Sequence, residues 1–79
     1  MSTHKHYLYD LGLEVKLRAL DAREKMAAAP SGSDDRMFQS GRVLAFNEII
    51  SIMQQQARGF GIPLKELQLD DIEPDRDLV

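Results

Sequence analysis

The 79-residue chain contains no cysteine and no tryptophan, and aromatic residues make up only 6 % of it. Without cysteine there is no disulfide framework and no thiolate metal site, the usual supports of a small secreted domain. No apolar run approaches the ~20 residues that span a bilayer. The opening Met1-Ser2-Thr3-His4-Lys5-His6 leads into a stretch carrying Asp10, Glu14, Lys16 and Arg18, so the uninterrupted apolar core of a signal peptide is missing. A reduced, cytoplasmic setting with no membrane contact is the expectation.

The chemistry of common active sites is also short of parts. His4 and His6 are the only histidines. Their i,i+2 spacing does not match the i,i+4 pair of a helical zinc site, and no third ligand is specified. With no other histidine and no cysteine, the common general-base and nucleophile dyads cannot be built. Asp70 and Asp71 lack the alternating ligands and central glycine of an EF-hand. Glu48 has no Glu-x-x-His partner motif for a ferritin-type iron site. Ser31-Gly32-Ser33 and Gly59-Phe60-Gly61 lack the spacing and the lysine of a phosphate loop. No catalytic residue, metal or cofactor is therefore expected, and the chain is not expected to be an enzyme.

What is present is ordinary globular material: 43 % hydrophobic and 29 % charged residues, with ten Lys and Arg against thirteen Asp and Glu for a net charge of −3. Such a composition argues against wholesale disorder. Below ~80 residues, however, one core rarely supplies more than ~3–5 kcal/mol, and staples, metal or oligomerisation make up the shortfall. Here association is the remaining route.

Two long helices are predicted. The first, about 6–28, is rich in Leu, Ala, Glu, Lys and Arg, which lose little conformational freedom in a helix. Gly12 opposes its early part by up to ~1 kcal/mol relative to Ala. The strict alternation of Tyr7, Tyr9, Leu11, Leu13, Val15 and Leu17 also fits a strand, but it stops at Leu17 and no second strand-like segment exists to pair with it. Ala29-Pro30-Ser31-Gly32-Ser33 is the break, with Pro30 biasing Ala29 out of the helical region and Ser33 or Asp34 placed as a cap. The second helix, about 34–60, carries an a/d-type seam of Val43, Phe46, Ile50, Met53, Ala57 and Phe60. Gly59 or Gly61 can end it in a left-handed cap, with Pro63 beyond. A further helical turn at about 63–68 and an acidic tail over 70–79, expected to be mobile, complete a single domain.

The charge divides unevenly. From Lys65 to Val79 there are two basic and six acidic residues, a net of −4, leaving +1 for the rest. Leu67, Leu69 and Ile72 punctuate that acidic stretch and mark it as a candidate segment for contacting another protein.

Each long helix carries more apolar surface than a two-helix hairpin can hide. At ~100° per residue, Leu8, Leu11, Val15, Ala19, Ala22 and Met26 share one side of the first helix, while Tyr9, Leu13, Leu17, Leu20 and Ala27 cluster on another. Leaving a Leu in water forfeits ~1.5–3 kcal/mol. The expected fold is accordingly all-α: an antiparallel hairpin that dimerises into a four-helix bundle, with Leu13, Leu17, Leu20, Phe46, Ile50 and Met53 forming core and dimer interface. The competing solution is that the C-terminal segment folds back over the second face.

The runs Ser51-Ile52-Met53-Gln54-Gln55-Gln56-Ala57, Phe60-Gly61-Ile62-Pro63-Leu64 and Pro74-Asp75-Arg76-Asp77-Leu78 resemble a family of small uncharacterised bacterial helical proteins. The resemblance covers roughly the C-terminal half. It implies a role for the tail and assigns no activity or site residue.

Two functions are consistent with this pattern. One is a small homodimeric protein–protein interaction or adaptor module. The other is a dimeric regulator touching nucleic acid through Arg36, Arg42 and Arg58, which the negative net charge and the lack of a basic stripe disfavour.

Overall fold

A computed structural model describes residues 2–79 of the chain. It is all-helical among the described residues: α1 spans Thr3–Ala28, α2 spans Asp34–Gly59, a single 3-10 turn covers Leu64–Leu67 and a four-residue helical turn, α3, covers Pro74–Asp77. The strand-like alternation between Tyr7 and Leu17 is absorbed into α1.

The helix ends follow local chemistry. α1 starts three residues before the expected His6 because Ser2 is extended and its hydroxyl accepts the Lys5 backbone N–H, satisfying one of the otherwise orphaned donors of the first turn. It stops at Ala29, held extended by the following Pro30. Ser33 then caps α2, accepting the Arg36 N–H at 3.1 Å while donating its own hydroxyl to the Pro30 carbonyl at 2.7 Å. Asp34 and Asp35 complement the helix dipole in the first turn. At the far end Gly61, at φ +70°, provides the left-handed residue. The Ile62 N–H reaches Ala57 O at 2.8 Å and the Gly61 N–H reaches Arg58 O at 3.1 Å, the paired bonds of a Schellman stop.

Five residues connect α1 to α2, so the helices pack antiparallel in a long, narrow body of 45 × 21 × 16 Å. Small residues set the contact: Ala19, Ala22 and Ala57 are buried alongside Met26, Val43 and Ile50. With no side chain beyond a β-carbon, the alanines let the two backbones approach closely.

The C-terminal segment differs most from expectation. It is not a mobile end: Leu67, Leu69, Ile72 and Leu78 all lie inside the same core cluster as the hairpin residues. Leu69 and Leu78 are among the most completely buried large side chains of the chain. The tail is thus a second layer on one flank of the hairpin, laid over the groove between the two helices.

Candidate functional site

Two features stand out once the chain is folded: the way the tail is held, and the apolar surface that it does not cover.

The tail is held by polar groups on both helices. On α2, Asn47 and Gln54 lie seven residues apart, two helical turns, and so share a face. The Gln54 Nε2 donates to Leu69 O at 3.1 Å and Ile72 O at 2.9 Å. The Asn47 Nδ2 donates to Pro74 O at 2.9 Å and Leu78 O at 3.1 Å. Pro74 O also accepts the Leu78 N–H at 2.9 Å, whereas for Leu69, Ile72 and Leu78 O the carboxamides supply the donors that burial demands. No buried side-chain polar atom among the described residues lacks a partner.

On α1 the contacts are ionic and steric. Lys16 is buried and its Nζ lies 2.9 Å from Asp71, whose side chain is mostly in solvent. Lys5 pairs with Glu66 at 3.5 Å. The Lys16 ammonium hydrogen-bonds Asp71 and holds its carboxyl below the usual aspartate range. Two of the six acidic residues of the segment, Glu66 and Asp71, thus find their counter-charge on lysines of α1. Gly12 faces the 3-10 turn with Leu67 O directly against its Cα.

The α3 turn is closed by Asp77. Its carboxylate accepts the Glu73 N–H at 2.8 Å and a two-pronged bond from Arg76, Nε and Nη2 each at 2.8 Å. The Arg76 guanidinium, with that backbone N–H, pulls the Asp77 carboxyl down to about 2.

Leu67, Leu69 and Ile72, expected to meet another protein, are therefore spent internally, and this expectation is corrected. Their burial between α1 and α2 leaves them unavailable to a partner in the folded chain. Ile50 is likewise wholly buried in the protomer, which removes it from any dimer surface. Phe46 and Met53 are half-buried at the edge of the core, as is Leu13 on the outer side of α1.

The tail covers one flank of the hairpin only. On α1, Leu17 and Leu20 remain 51 % and 41 % exposed. Around the helix, Leu13 lies about 180° from the buried Ala22, and Leu17 about 160° from the buried Ala19, so this row points away from α2. On α2, Phe38, Ile49, Ile52 and Phe60 are 64 %, 44 %, 58 % and 77 % exposed. Asn47 sits about 60° to one side of Ile50 and holds the tail, whereas Phe46, Met53 and Ile49 lie about 40–100° to the other side. The expected seam is split: Val43, Ile50 and Ala57 face the chain's own core, while Phe46, Met53 and Phe60 run along its bare edge. Of the residues expected in core and dimer interface, Leu13, Leu17 and Leu20 thus lie on the outer side of α1, and Phe46 and Met53 lie along the edge of α2.

The remaining candidates are dispersed. His4 and His6 are exposed on the first turns of α1, about 200° apart, so they do not converge. Arg36 donates to Ala29 O at 3.3 Å, and Arg42 donates to Gln39 Oε1 at 2.8 Å and stacks over Phe46 at 5.8 Å. Arg58 is exposed and lines a surface depression with Asp70, Asp71, Glu73 and Arg76 of the tail. Among the described residues no three His, Cys, Asp or Glu side chains gather as a metal site, and no helix is long and apolar enough to cross a membrane. The residues that organise the tail, Gly12, Lys16, Asn47 and Gln54, carried no recognised motif. The seven-residue spacing of two carboxamides beside an apolar seam is the one signal that pointed to them.

No protein-family model, curated protein or solved structure matches the chain.

Proposed function

We propose that this protein is a small non-catalytic interaction module that works as a homodimer, two hairpins packing into a four-helix bundle. The observation that carries this function is the row of Phe38, Ile49, Ile52 and Phe60 left bare along one face of α2 after the tail has docked, while the exposed Met37 and Leu44 lie on another side of the helix. Large apolar side chains aligned on one helix face mark an association surface, whereas scattered single ones do not. The chain also exposes 5356 Å², more than the roughly 4,850 Å² of a compact monomer of this mass, because the hairpin is long and thin. A second copy is the partner that a single gene product always has at hand, and two-fold symmetry lets one patch satisfy itself.

Sedimentation velocity over a micromolar concentration range tests this function. A dimer whose dissociation is promoted by Ile49→Asp, with the circular dichroism of the monomer preserved, is the expected result. A folded monomer at every concentration overturns it.

A further inference from the structure

The bare face of α2 is symmetric in polarity about Ile49. Outward from Ile49, both positions at three residues are apolar, Phe46 and Ile52, and both at four are apolar, Ala45 and Met53. At seven residues both are polar, Arg42 and Gln56, and at eleven both are phenylalanine, Phe38 and Phe60. All of these lie within about 60° of Ile49 around the helix. None belongs to the row that holds the tail.

We infer that α2 of one copy packs antiparallel on α2 of a second copy, with the two-fold axis passing beside Ile49; this arrangement rests on the self-association proposed above and specifies its interface. In an isologous contact the residue at +n meets the partner's residue at −n. Ile49 then meets its own symmetry mate, Phe46 meets Ile52, Ala45 meets Met53, and Phe38 meets Phe60 at both ends of a stripe about 33 Å long. The polar positions match as well, since the Arg42 guanidinium is brought against the Gln56 side chain, whose carbonyl accepts hydrogen bonds. A parallel pairing would instead set Arg42, which lies 3.9 Å from its counter-charge Asp21 on α1, against its own symmetry mate with no acceptor from the partner helix at that level.

Area also favours this face. If a large apolar side chain presents about 200 Å², Phe38, Ile49, Ile52 and Phe60 together offer roughly 450 Å² per copy. That is over half of the ~800 Å² per partner of a standard stable interface, before Arg42, Ala45, Phe46, Met53 and Gln56 are counted. The rival row on α1 exposes Tyr9, Leu17 and Leu20 by 38 %, 51 % and 41 % beside the half-buried Leu13, less than the α2 face presents, and Glu24 follows it one turn on.

The absence of native cysteine makes the arrangement directly testable in the full chain by single-cysteine variants under mild oxidation. A disulfide needs Cα atoms within about 7 Å, so Ile49→Cys is expected to form a covalent dimer about tenfold faster than Leu17→Cys. An equimolar mixture of Phe38→Cys and Phe60→Cys is expected to give mainly the mixed disulfide. Sedimentation of the parent chain is run alongside. A dimer that cross-links through Leu17→Cys, or through Phe38→Cys with itself, overturns the antiparallel α2 interface and leaves the homodimer standing. A monomeric parent with no preference among the cysteine variants overturns both.

Discussion

The carbonyl oxygen of Leu67 occupies the space that a β-carbon on Gly12 would take. A helix-weakening residue in the first turns of α1 is thereby explained: the 3-10 turn lies directly on the α1 backbone, and only glycine leaves room for it. Gly12→Ala would gain up to ~1 kcal/mol in helix propensity yet must displace a backbone segment, and overpacking of this kind costs about 1–3 kcal/mol. Net destabilisation in urea melts is expected. Gly41→Ala, where a β-carbon meets nothing within 4 Å, is expected to stabilise by up to about 1 kcal/mol. Equal effects at the two positions would argue against the close approach at Gly12.

Gln54 and Asn47 hold the tail by its backbone, so their side-chain size matters less than their donors. Gln54→Leu would leave Leu69 O and Ile72 O without a donor in the interior. Each buried unsatisfied group costs about 1–3 kcal/mol, and a loss of roughly 2–4 kcal/mol is expected from the pair. Hydrogen exchange should report it locally, with protection falling first at Leu69 and Leu78 while Ile50 stays protected. Uniform loss across α1 and α2 would mean that the tail is not a separable layer.

Acid should loosen the tail. Asp77 drops from an ordinary 3.8 to about 2 in the folded chain, and Asp71 is lowered as well. A depressed carboxylate pKa contributes stability that is fully present above the unfolded value and disappears as pH falls through the folded value. The contribution of these two groups is therefore expected to vanish between about pH 4 and pH 2. Urea midpoints measured across that window should fall for the parent chain and fall less steeply for the double variant Asp71→Asn, Asp77→Asn. Asp71→Asn by itself also strips the buried Lys16 of its counter-charge, so it should be destabilising at neutral pH, whereas Lys16→Met is expected to be near neutral.

Removing the tail should be worse than altering its anchors. A chain ending at Gly61 lacks Leu67, Leu69, Ile72 and Leu78, four of the ten residues of the buried cluster. Each large-to-small loss in a core costs about 2–5 kcal/mol, against a total stability of only about 5–15 kcal/mol for a typical domain. No cooperative thermal transition is expected from the truncated chain, even at concentrations where the full chain is dimeric. A truncated chain that still melts cooperatively would show that the hairpin carries its own stability.

The two helices and their limits could be read from local residues. Ser33 ahead of Asp34 and Asp35, Pro30 after Ala29, and Gly61 before Pro63 each act within a few residues along the chain, through a cap, a steric clash or a left-handed turn. α1 starts three residues before the expected position because the Ser2 cap sets its first turn, and a serine ahead of a polar stretch carries no apolar periodicity to mark it. The seam on α2 was legible as a seam, but the separate tasks of Ile50 and Phe46 were not.

By itself the sequence determined that this chain is helical, where it turns, and that its apolar residues outnumber what two helices can bury against each other. Periodicity and capping act over short range, so they survive without knowledge of the fold. Tertiary structure alone decided which surface covers which. Leu67, Leu69 and Ile72 announce only that they require burial. Their destination follows from a groove whose parts, Gly12 and Lys16 on α1 with Asn47 and Gln54 on α2, are brought together from positions up to 42 residues apart. The same packing consumed Ile50 and left Ile49 bare, because one step along a helix turns a side chain by about 100° and only the placement of neighbours tells the inner side from the outer.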